Sequence, residues 1–173
     1  EDVTSALRLH RRLVEAAERD PLTRLLNRSA IVERLERSLR RAAEDDLLVG
    51  VLFIDLDDFK SVNDRFGHAT GDDVLQRVGD AITGCVRRDD LVGRFGGDEF
   101  VVIVPDLHDA ASARLLAARI MTALGDVVVV PGQLLITGSV GVAAAPARAT
   151  SADRLLEAAD AAMYEIKRRR AAC

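Results

Sequence analysis

The sequence predicts one α/β domain, an α+β sandwich in which helices flank a central, mostly antiparallel sheet. Three observations predict it: an unbroken aliphatic strand, a short apolar hairpin, and amphipathic helices before, between and after them. The chain has 173 residues, the usual length of a single domain. Aromatic residues make up only 3% of it and Trp is absent, so the core must be mainly aliphatic.

Residues 1–19 predict a helix that precedes the domain. Its seam positions repeat with spacings of 4, 3, 4 and 3, as in a coiled coil: Val3, Leu7, His10, Val14 and Ala17. Two interpretations stay open, a signalling stalk that pairs two copies and a helix that packs on its own domain. Pro21 excludes Asp20 from the α region, so the domain is predicted over residues 20–173.

The later elements follow from hydrophobic periodicity and from turn residues. Residues 47–54 (LLVGVLFI) form a continuous apolar run, which is typical of a buried strand. Further strands are predicted over 91–95, 100–104, 127–130 and 134–144. Helices are predicted over 29–43 with Ser29 as N-cap, and over 61–66, 72–86, 109–124 and 151–170. Turns are expected over 67–71 and 96–99.

Composition limits the classes of function. A net charge of −4 and a pI of about 5.4 argue against general binding of nucleic acid or anionic membranes. The two cysteines, Cys85 and Cys173, form no disulfide framework. No apolar run approaches the roughly 20 residues of a membrane span, and there is no signal peptide. We therefore expect a cytoplasmic protein, or the cytoplasmic part of a longer one.

Two acidic clusters follow apolar strands. Asp55, Asp57 and Asp58 come directly after the first strand, and Asp98 and Glu99 follow two glycines at the tip of the hairpin. Each cluster alone is also typical of an exposed turn. If the hairpin pairs with the first strand, however, Asp55 and Asp98 meet, and a divalent cation would offset the repulsion between them. Such an arrangement serves phosphoryl transfer.

Several motifs together resemble the GGDEF family, the bacterial diguanylate cyclases. The hairpin carries RFGGDEF, and the other similar segments occur in the family's order over about 150 residues. They are DPLTRLLNR at 20–28, DLDDFKSVND at 55–64, FGHATGD at 66–72, TGSVGVA at 137–143 and ADAAMYEIK at 159–167. The resemblance implies a fold like a nucleotide cyclase or polymerase palm. It also implies condensation of two GTP into cyclic di-GMP, a second messenger, with release of two pyrophosphates.

The resemblance also implies roles for individual residues. Two Mg²⁺ or Mn²⁺ ions would be held by Asp55, the carbonyl of Leu56, Asp98 and Glu99, and Asp98 would accept the proton of the 3′-hydroxyl. The backbone N–H groups of Asp58, Phe59 and Lys60 would bind the triphosphate. Lys60 and Lys167 would add positive charge, with Lys60 stabilising the transition state.

Guanine selection maps to Asn63 and Asp72, because a carboxylate can accept from the two donors of guanine. Without the resemblance, Asp72 is predicted simply as a helix N-cap. The family also has a Gly-Arg pair after the lysine of its last helix, and the arginine holds the γ-phosphate. Here Arg168, Arg169 and Arg170 follow instead, so either one of them substitutes or the native sequence continues.

Arg87 and Asp90 resemble the family's inhibitory product site, although a polar loop of this kind is also common without function. Because one domain binds one GTP, the reaction implies a homodimer with two facing nucleotides, controlled by an upstream sensory domain. Two alternatives remain. One is a catalytically inactive receptor for GTP or cyclic di-GMP, and the other is a cyclase that makes another cyclic nucleotide.

Overall fold

The computed structural model describes residues 16–129 and 134–171, together with residues 7, 8 and 14. Leu7, Arg8 and Val14 are helical, as are residues 16 and 17. Val3 and His10 lie outside the described residues, so the predicted coiled-coil seam stays a prediction. In the part of the chain that the structure describes, no helix has the length and apolar character needed to cross a membrane.

The domain has five α-helices, a short 3₁₀-helix (Ala147–Ala149) and six strands within the described residues. The helices are α1 (Arg28–Glu44), α2 (Phe59–Phe66), α3 (His68–Cys85), α4 (Ala111–Gly125) and α5 (Ala152–Ala171). The strands are β1 (Leu48–Leu56), β2 (Leu91–Arg94), β3 (Glu99–Leu107), β4 (Val128–Val129), β5 (Leu134–Leu135) and β6 (Gly138–Pro146). A four-stranded sheet has the order β2-β3-β1-β6 with every pair antiparallel, and β4 pairs with β5 separately. This confirms the predicted fold class.

Strand β1 lies inside the sheet and is buried on both faces, which explains its continuous apolar sequence. Its side chains alternate between two cores. Leu52, Ile54 and Leu56 pack with α2, α3 and α4, whereas Val51 and Phe53 pack with α1 and α5. Helices on both faces therefore hold the carboxyl end of β1, where the first acidic cluster begins, in a fixed position.

Two predicted helix N-caps, Ser29 and Asp72, are wrong. Helix α1 begins one residue before Ser29, and its N-cap is Asn27, whose side chain accepts from the N–H of Ala30 at 3.0 Å. A single residue, Gly67, separates α2 from α3, because its φ of 86° interrupts the helical conformation. Helix α3 therefore begins at His68. The predicted turn at 67–71 is therefore mostly helix, and Asp72 is not an N-cap.

The predicted strand over 134–144 is divided in two. Its first part, β5, pairs with β4, and β6 pairs with β1 from Gly138 onward. Between them, the N–H of Ile136 donates to Val127 and the carbonyl of Thr137 accepts from Asp57 N–H, at 3.0 and 2.9 Å. The chain thus passes from the small sheet to the large one beside the first acidic cluster. Val130, predicted as strand, lies outside the described residues.

Candidate active site

The pairing of β1 with β3 brings the two acidic clusters to the same edge of the sheet. Asp55 lies opposite Glu99 in the register, and the N–H of Leu56 donates to the carbonyl of Asp98 at 3.2 Å. The pairing on which the expected meeting of Asp55 and Asp98 depends is therefore present. Two segments more than forty residues apart in the sequence supply these carboxylates, which antiparallel pairing alone aligns.

The carboxylates at this edge repel one another. Burial raises the pKa of Asp55 above its ordinary value, and the neighbouring charges of Asp98 and Asp57 raise it further. Burial also raises the pKa of Glu99, together with the charges of Asp55, Asp160 and Asp98. The site therefore carries more negative charge than its own side chains neutralise.

Lys167, near the end of α5, forms an ion pair with Asp55. Burial lowers the pKa of Lys167, but this hydrogen bond and the surrounding carboxylates outweigh burial and raise it. The ammonium group is thus held charged against the most buried acid of the site. One cation is not enough to lower the pKa of Asp55, which stays raised.

The donor set fits a divalent cation. Within the described ranges, no three His, Cys, Asp or Glu side chains are already arranged around a common point. Yet the charge of Asp98 raises the pKa of both Asp55 and Glu99, and carboxylate oxygens are the ligands that Mg²⁺ and Mn²⁺ prefer. The Lys167 ammonium pairs with Asp55, the carboxylate whose negative charge is opposed by both burial and its acidic neighbours.

The acidic turn (residues 96–99) is fixed by its neighbours. The Arg94 side chain donates from Nε and Nη2 to the carbonyl of Gly97, at 3.1 and 2.8 Å. A Cβ at Gly96 would lie 2.6 Å from Glu99 Oε2, so glycine leaves room for the Glu99 carboxylate to fold back over the turn. Neither Gly96 nor Gly97 has positive φ, so close approach rather than unusual φ explains glycine at position 96.

Arg28, the first residue of α1, completes the surroundings of this turn. Its guanidinium lies 4.5 Å from the centroid of the Phe95 ring, and Phe95 packs edge-to-face on Phe53 at 5.2 Å. The charge of Arg28 also lowers the pKa of Glu99, against burial and the three carboxylates. Arg28 and Asp160 were not predicted as part of the site, although both occur in motifs that resemble the family.

The loop from β1 to α2 has the geometry of an anion site. Asp58 adopts a left-handed conformation with φ of 53° and is followed directly by Phe59, the first residue of α2. Among the described residues, no acceptor is found for the N–H groups of Phe59 and Lys60. Because the first N–H groups of a helix have no partner within it, they are available to an anion. The Lys60 side chain is exposed.

Asn63 and Asp72 lie on neighbouring turns of α2 and α3. The side chain of Asn63 is half-buried and occupies the space that a side chain at position 71 would need. A Cβ at Gly71 would lie 1.9 Å from Asn63 Oδ1. Asp72 follows Gly71 and is exposed. Asn63 therefore packs against the residue that directly precedes Asp72.

Arg170 is the arginine of the 168–170 run that faces the site. Its Nη1 donates to Asp57 Oδ2 at 3.0 Å and to the carbonyl of Gly138 at 2.7 Å. Asp57 in turn accepts from Ser139 Oγ at 2.9 Å. Arg168 instead pairs with Glu165 on the surface of α5. Asp57 was predicted only as a member of the first acidic cluster and without a role of its own, because its partners lie more than 80 residues further along the chain.

Arg87 and Asp90 form a closed turn after α3, the 87–90 turn. The N–H of Arg87 donates to Asp90 Oδ2 at 2.8 Å, and the N–H of Asp90 donates to the carbonyl of Arg87 at 3.2 Å. The side chain of Arg87 is exposed. This turn lies before β2, outside the acidic edge of the sheet.

Comparison with known proteins agrees with this geometry. The sequence model of the diguanylate cyclase, GGDEF domain family matches residues 17–173. The chain is 42% identical over 158 residues to diguanylate cyclase TpbB of Pseudomonas aeruginosa, covering 90% of this chain and 36% of TpbB. It is 38% identical to the bifunctional diguanylate cyclase/cyclic di-GMP phosphodiesterase MucR of the same organism, covering 95% of this chain and 24% of MucR. The chain thus spans about a quarter to a third of these curated relatives.

A solved structure shows the same fold. The coiled coil and GGDEF domain of DgcB from Caulobacter crescentus, determined in complex with c-di-GMP, superposes with a TM-score of 0.86 at 30% identity, covering 95% of this chain and 88% of the solved DgcB chain. Fold and site together define a domain of the nucleotide-cyclase, palm-like class. The chain belongs to the GGDEF family of diguanylate cyclase domains.

Proposed function

We propose that this domain is an active diguanylate cyclase, which condenses two GTP molecules into cyclic di-GMP and releases two pyrophosphates. The observation that carries the proposal is the β1–β3 register, which places Asp55 opposite Glu99 and bonds Leu56 to Asp98. Family membership supports the same reaction. An inactive family member would have no need to keep these mutually repelling acids together, because their repulsion costs stability.

The acids at this edge would hold the cofactor, which is two Mg²⁺ or Mn²⁺ ions. Asp55, the carbonyl of Leu56, Asp98 and Glu99 would be the ligands, and the bound ions supply Lewis-acid polarisation of the phosphate and the 3′-hydroxyl. Asp98 accepts the proton of that hydroxyl as its oxygen attacks the α-phosphate. Lys60 stabilises the charge that develops on the phosphate oxygens.

The chain's other polar groups bind and orient GTP. The N–H groups of Asp58, Phe59 and Lys60 contact the phosphates at the start of α2. Lys167 and Arg170 provide charge from α5, and Arg170 substitutes for the arginine that the family places after this lysine. To contact the nucleotide, Lys167 must release Asp55 and Arg170 must release Asp57. On the α2–α3 pair, Asn63 and Asp72 accept from guanine, and so select it over adenine.

The domain acts as a homodimer, because one site holds one GTP and the product contains two. The 87–90 turn binds the product and inhibits, through the guanidinium of Arg87 and the carboxylate of Asp90. We further propose that the domain works in the cytoplasm within a longer protein, where a sensory domain before residue 20 controls the pairing.

The alternative is a catalytically inactive receptor for GTP or cyclic di-GMP. One observation favours it: Lys167 already pairs with Asp55, so an ion must compete with a charged side chain for this ligand. Receptor and enzyme differ in a single measurable property, the formation of product.

Incubation with GTP and Mg²⁺, followed by mass spectrometry, tests the proposal. At concentrations that allow dimerisation, the wild type should form cyclic di-GMP, and Asp98→Ala should reduce its rate of formation about a hundredfold or more. Asp80→Ala, which removes an exposed carboxylate from α3, is the matched control and should retain the rate. A wild type that binds GTP and yields no cyclic di-GMP would establish the receptor alternative.

A further inference from the structure

Ser139, the second residue of β6, is a fully buried polar residue to which the proposed function gives no role. Within the described residues, Asp55 is the only other buried polar or charged side chain. A hydroxyl group in such surroundings costs stability unless it forms a hydrogen bond. The Oγ of Ser139 donates to Asp57 Oδ1 at 2.9 Å. The buried serine therefore serves the side chain of Asp57.

The backbone of Asp57 is held to β6 as well. The register of β1 with β6 ends at Leu56, which lies opposite Gly138. The N–H of Asp57 continues this pairing, because it donates to the carbonyl of Thr137 at 2.9 Å. One backbone bond and one side-chain bond, together the Asp57–Ser139 anchor, thus fix the first residue of the β1–α2 loop.

This anchor lies directly before the anion site at the start of α2. Asp58 has a left-handed conformation with φ of 53°, which is unfavourable for a residue other than glycine and persists only where its neighbours are held. On one side the Asp57–Ser139 anchor holds the chain, and on the other side the Phe59 ring is buried. These two constraints determine where the N–H groups of Phe59 and Lys60 point.

The same carboxylate also holds Arg170. Asp57 Oδ2 accepts from Arg170 Nη1 at 3.0 Å, so the two oxygens of Asp57 have different partners. Asp57, Lys167 and Arg170 line a cavity of about 540 Å³. This space allows the Arg170 side chain to turn away from Asp57 without displacement of α5.

We infer that Asp57 is a positioning residue for the triphosphate of GTP, with two opposing effects, and that Ser139 acts through it. Through Oδ1 and Ser139, Asp57 holds the β1–α2 loop in the conformation that presents its N–H groups to phosphate. Through Oδ2, it competes with phosphate for Arg170. Neither Asp57 nor Ser139 needs to contact the nucleotide. The inference rests on the proposed function for the choice of GTP as the ligand.

Two variants separate the two effects. Asp57→Asn keeps an oxygen for Ser139 and removes the charge that holds Arg170. The Kd for GTP should therefore fall about threefold, since a partly exposed ion pair no longer has to be broken. Ser139→Ala keeps that charge and removes the donor that holds the loop, so the Kd for GTP should rise about fivefold. A purely structural role would lower the Tm of both variants and leave both Kd values unchanged.

Competition with a fluorescent, non-hydrolysable GTP analogue at saturating Mg²⁺ measures these affinities. Guanosine, which has no phosphate, should bind both variants as it binds the wild type. Thr122→Ala is the matched control, because it removes an exposed hydroxyl whose bond goes to the carbonyl of Ala118 on α4. The result for Asp57→Asn does not depend on whether the buried position 139 tolerates substitution.

The outcomes separate this inference from the proposed function. Opposite shifts in GTP affinity, in a protein that forms no cyclic di-GMP, would support the inference and contradict the cyclase. In an active cyclase, an unchanged Kd for GTP in both variants, or equal losses for GTP and guanosine, would overturn the inference alone. Weaker GTP binding by both variants would also overturn it, because Asp57 would then not compete with phosphate. A wild type that binds no GTP would overturn both.

Discussion

Arg94 and Asp20 join two segments that lie 74 positions apart in the chain. Nη1 of Arg94 is 3.3 Å from both carboxylate oxygens of Asp20, while its other nitrogens hold the carbonyl of Gly97. Asp20 also accepts from the N–H and hydroxyl of Thr23, at 2.8 and 2.7 Å. The segment before α1 therefore holds the acidic turn at residues 96–99 in place. This contact explains why the DPLTRLLNR and RFGGDEF motifs both belong to one site.

Asp20→Asn should destabilise the domain in a manner that depends on pH. Burial raises the pKa of Asp20, but the hydrogen bonds from Thr23 and the charge of Arg94 outweigh it, so the pKa lies below its ordinary value of 3.8. A lowered pKa contributes stability above that ordinary value and loses it as the pH falls through the folded-state pKa. We expect a loss of about 1–2 kcal/mol in the free energy of unfolding at pH 7.

Urea denaturation of both proteins at several pH values measures this effect. The difference between them should be full at pH 7 and should decline below the ordinary value of 3.8. Asp73→Asn is the control, since its ion pair with Arg77 is exposed and contributes little. A difference that is constant from pH 7 to pH 3 would show that charge on Asp20 is not its cause.

How much of the site can be predicted depends on how far apart in the sequence the interacting residues lie. Local patterns predicted the elements that carry four of its side chains close to their observed bounds. They are the end of the first strand for Asp55, the hairpin turn for Asp98 and Glu99, and the last helix for Lys167. Their assembly depends on strand pairing, which the sequence alone does not specify, because an apolar run predicts a buried strand without fixing its partner strand.

Other features could not be read from local sequence. Asn27 and Ser29 are equally good N-caps by residue type, and packing decides between them. Asp57 and Arg170 meet because the end of α5 lies beside β6, and Arg34 and Arg87 share a cleft for a similar tertiary reason. Such contacts between distant segments carry no periodic signal.

Glu99→Gln should stabilise the domain in the absence of divalent ions. Burial and three neighbouring carboxylates raise the pKa of Glu99, so the charge it carries at neutral pH disfavours the fold. This group contributes stability below its unfolded pKa and loses it as the pH rises through the folded-state pKa. Replacing it by a neutral amide should raise the Tm by about 1–2 °C at pH 7.5 in low salt and EDTA, and not at pH 4.

Differential scanning fluorimetry with and without Mg²⁺ provides the measurement. Mg²⁺ should raise the Tm of the wild type more than that of Glu99→Gln, because the variant offers one ligand fewer. Glu157→Gln, an exposed position on α5, should behave as the wild type in every condition. A variant that melts lower than the wild type without metal at pH 7.5 would show that Glu99 is not under repulsion.

Arg170→Ala should weaken GTP binding, and Arg168→Ala should not. Arg170 donates to Asp57 and Gly138 at the edge of the site, whereas Arg168 pairs with Glu165 on the surface. Loss of a charge-assisted bond to phosphate should raise the Kd for GTP about tenfold. A fluorescent, non-hydrolysable GTP analogue measures this, and equal Kd values for the two variants would exclude Arg170 as the substitute arginine.

Gly71→Ala should reduce the preference for guanine. The new Cβ would lie 1.9 Å from Asn63 Oδ1, and would also approach the Phe59 ring at 3.2 Å, so the Asn63 side chain must turn away. Because Asn63 and Asp72 accept from guanine in the proposed site, affinity for GTP should fall towards that for ATP, about tenfold. Gly84→Ala is the matched control, as nothing lies within 4 Å of its added Cβ at the end of the same helix. Competition of GTP and ATP for one fluorescent nucleotide gives both affinities, and an unchanged GTP to ATP ratio in Gly71→Ala would remove Asn63 from the base site.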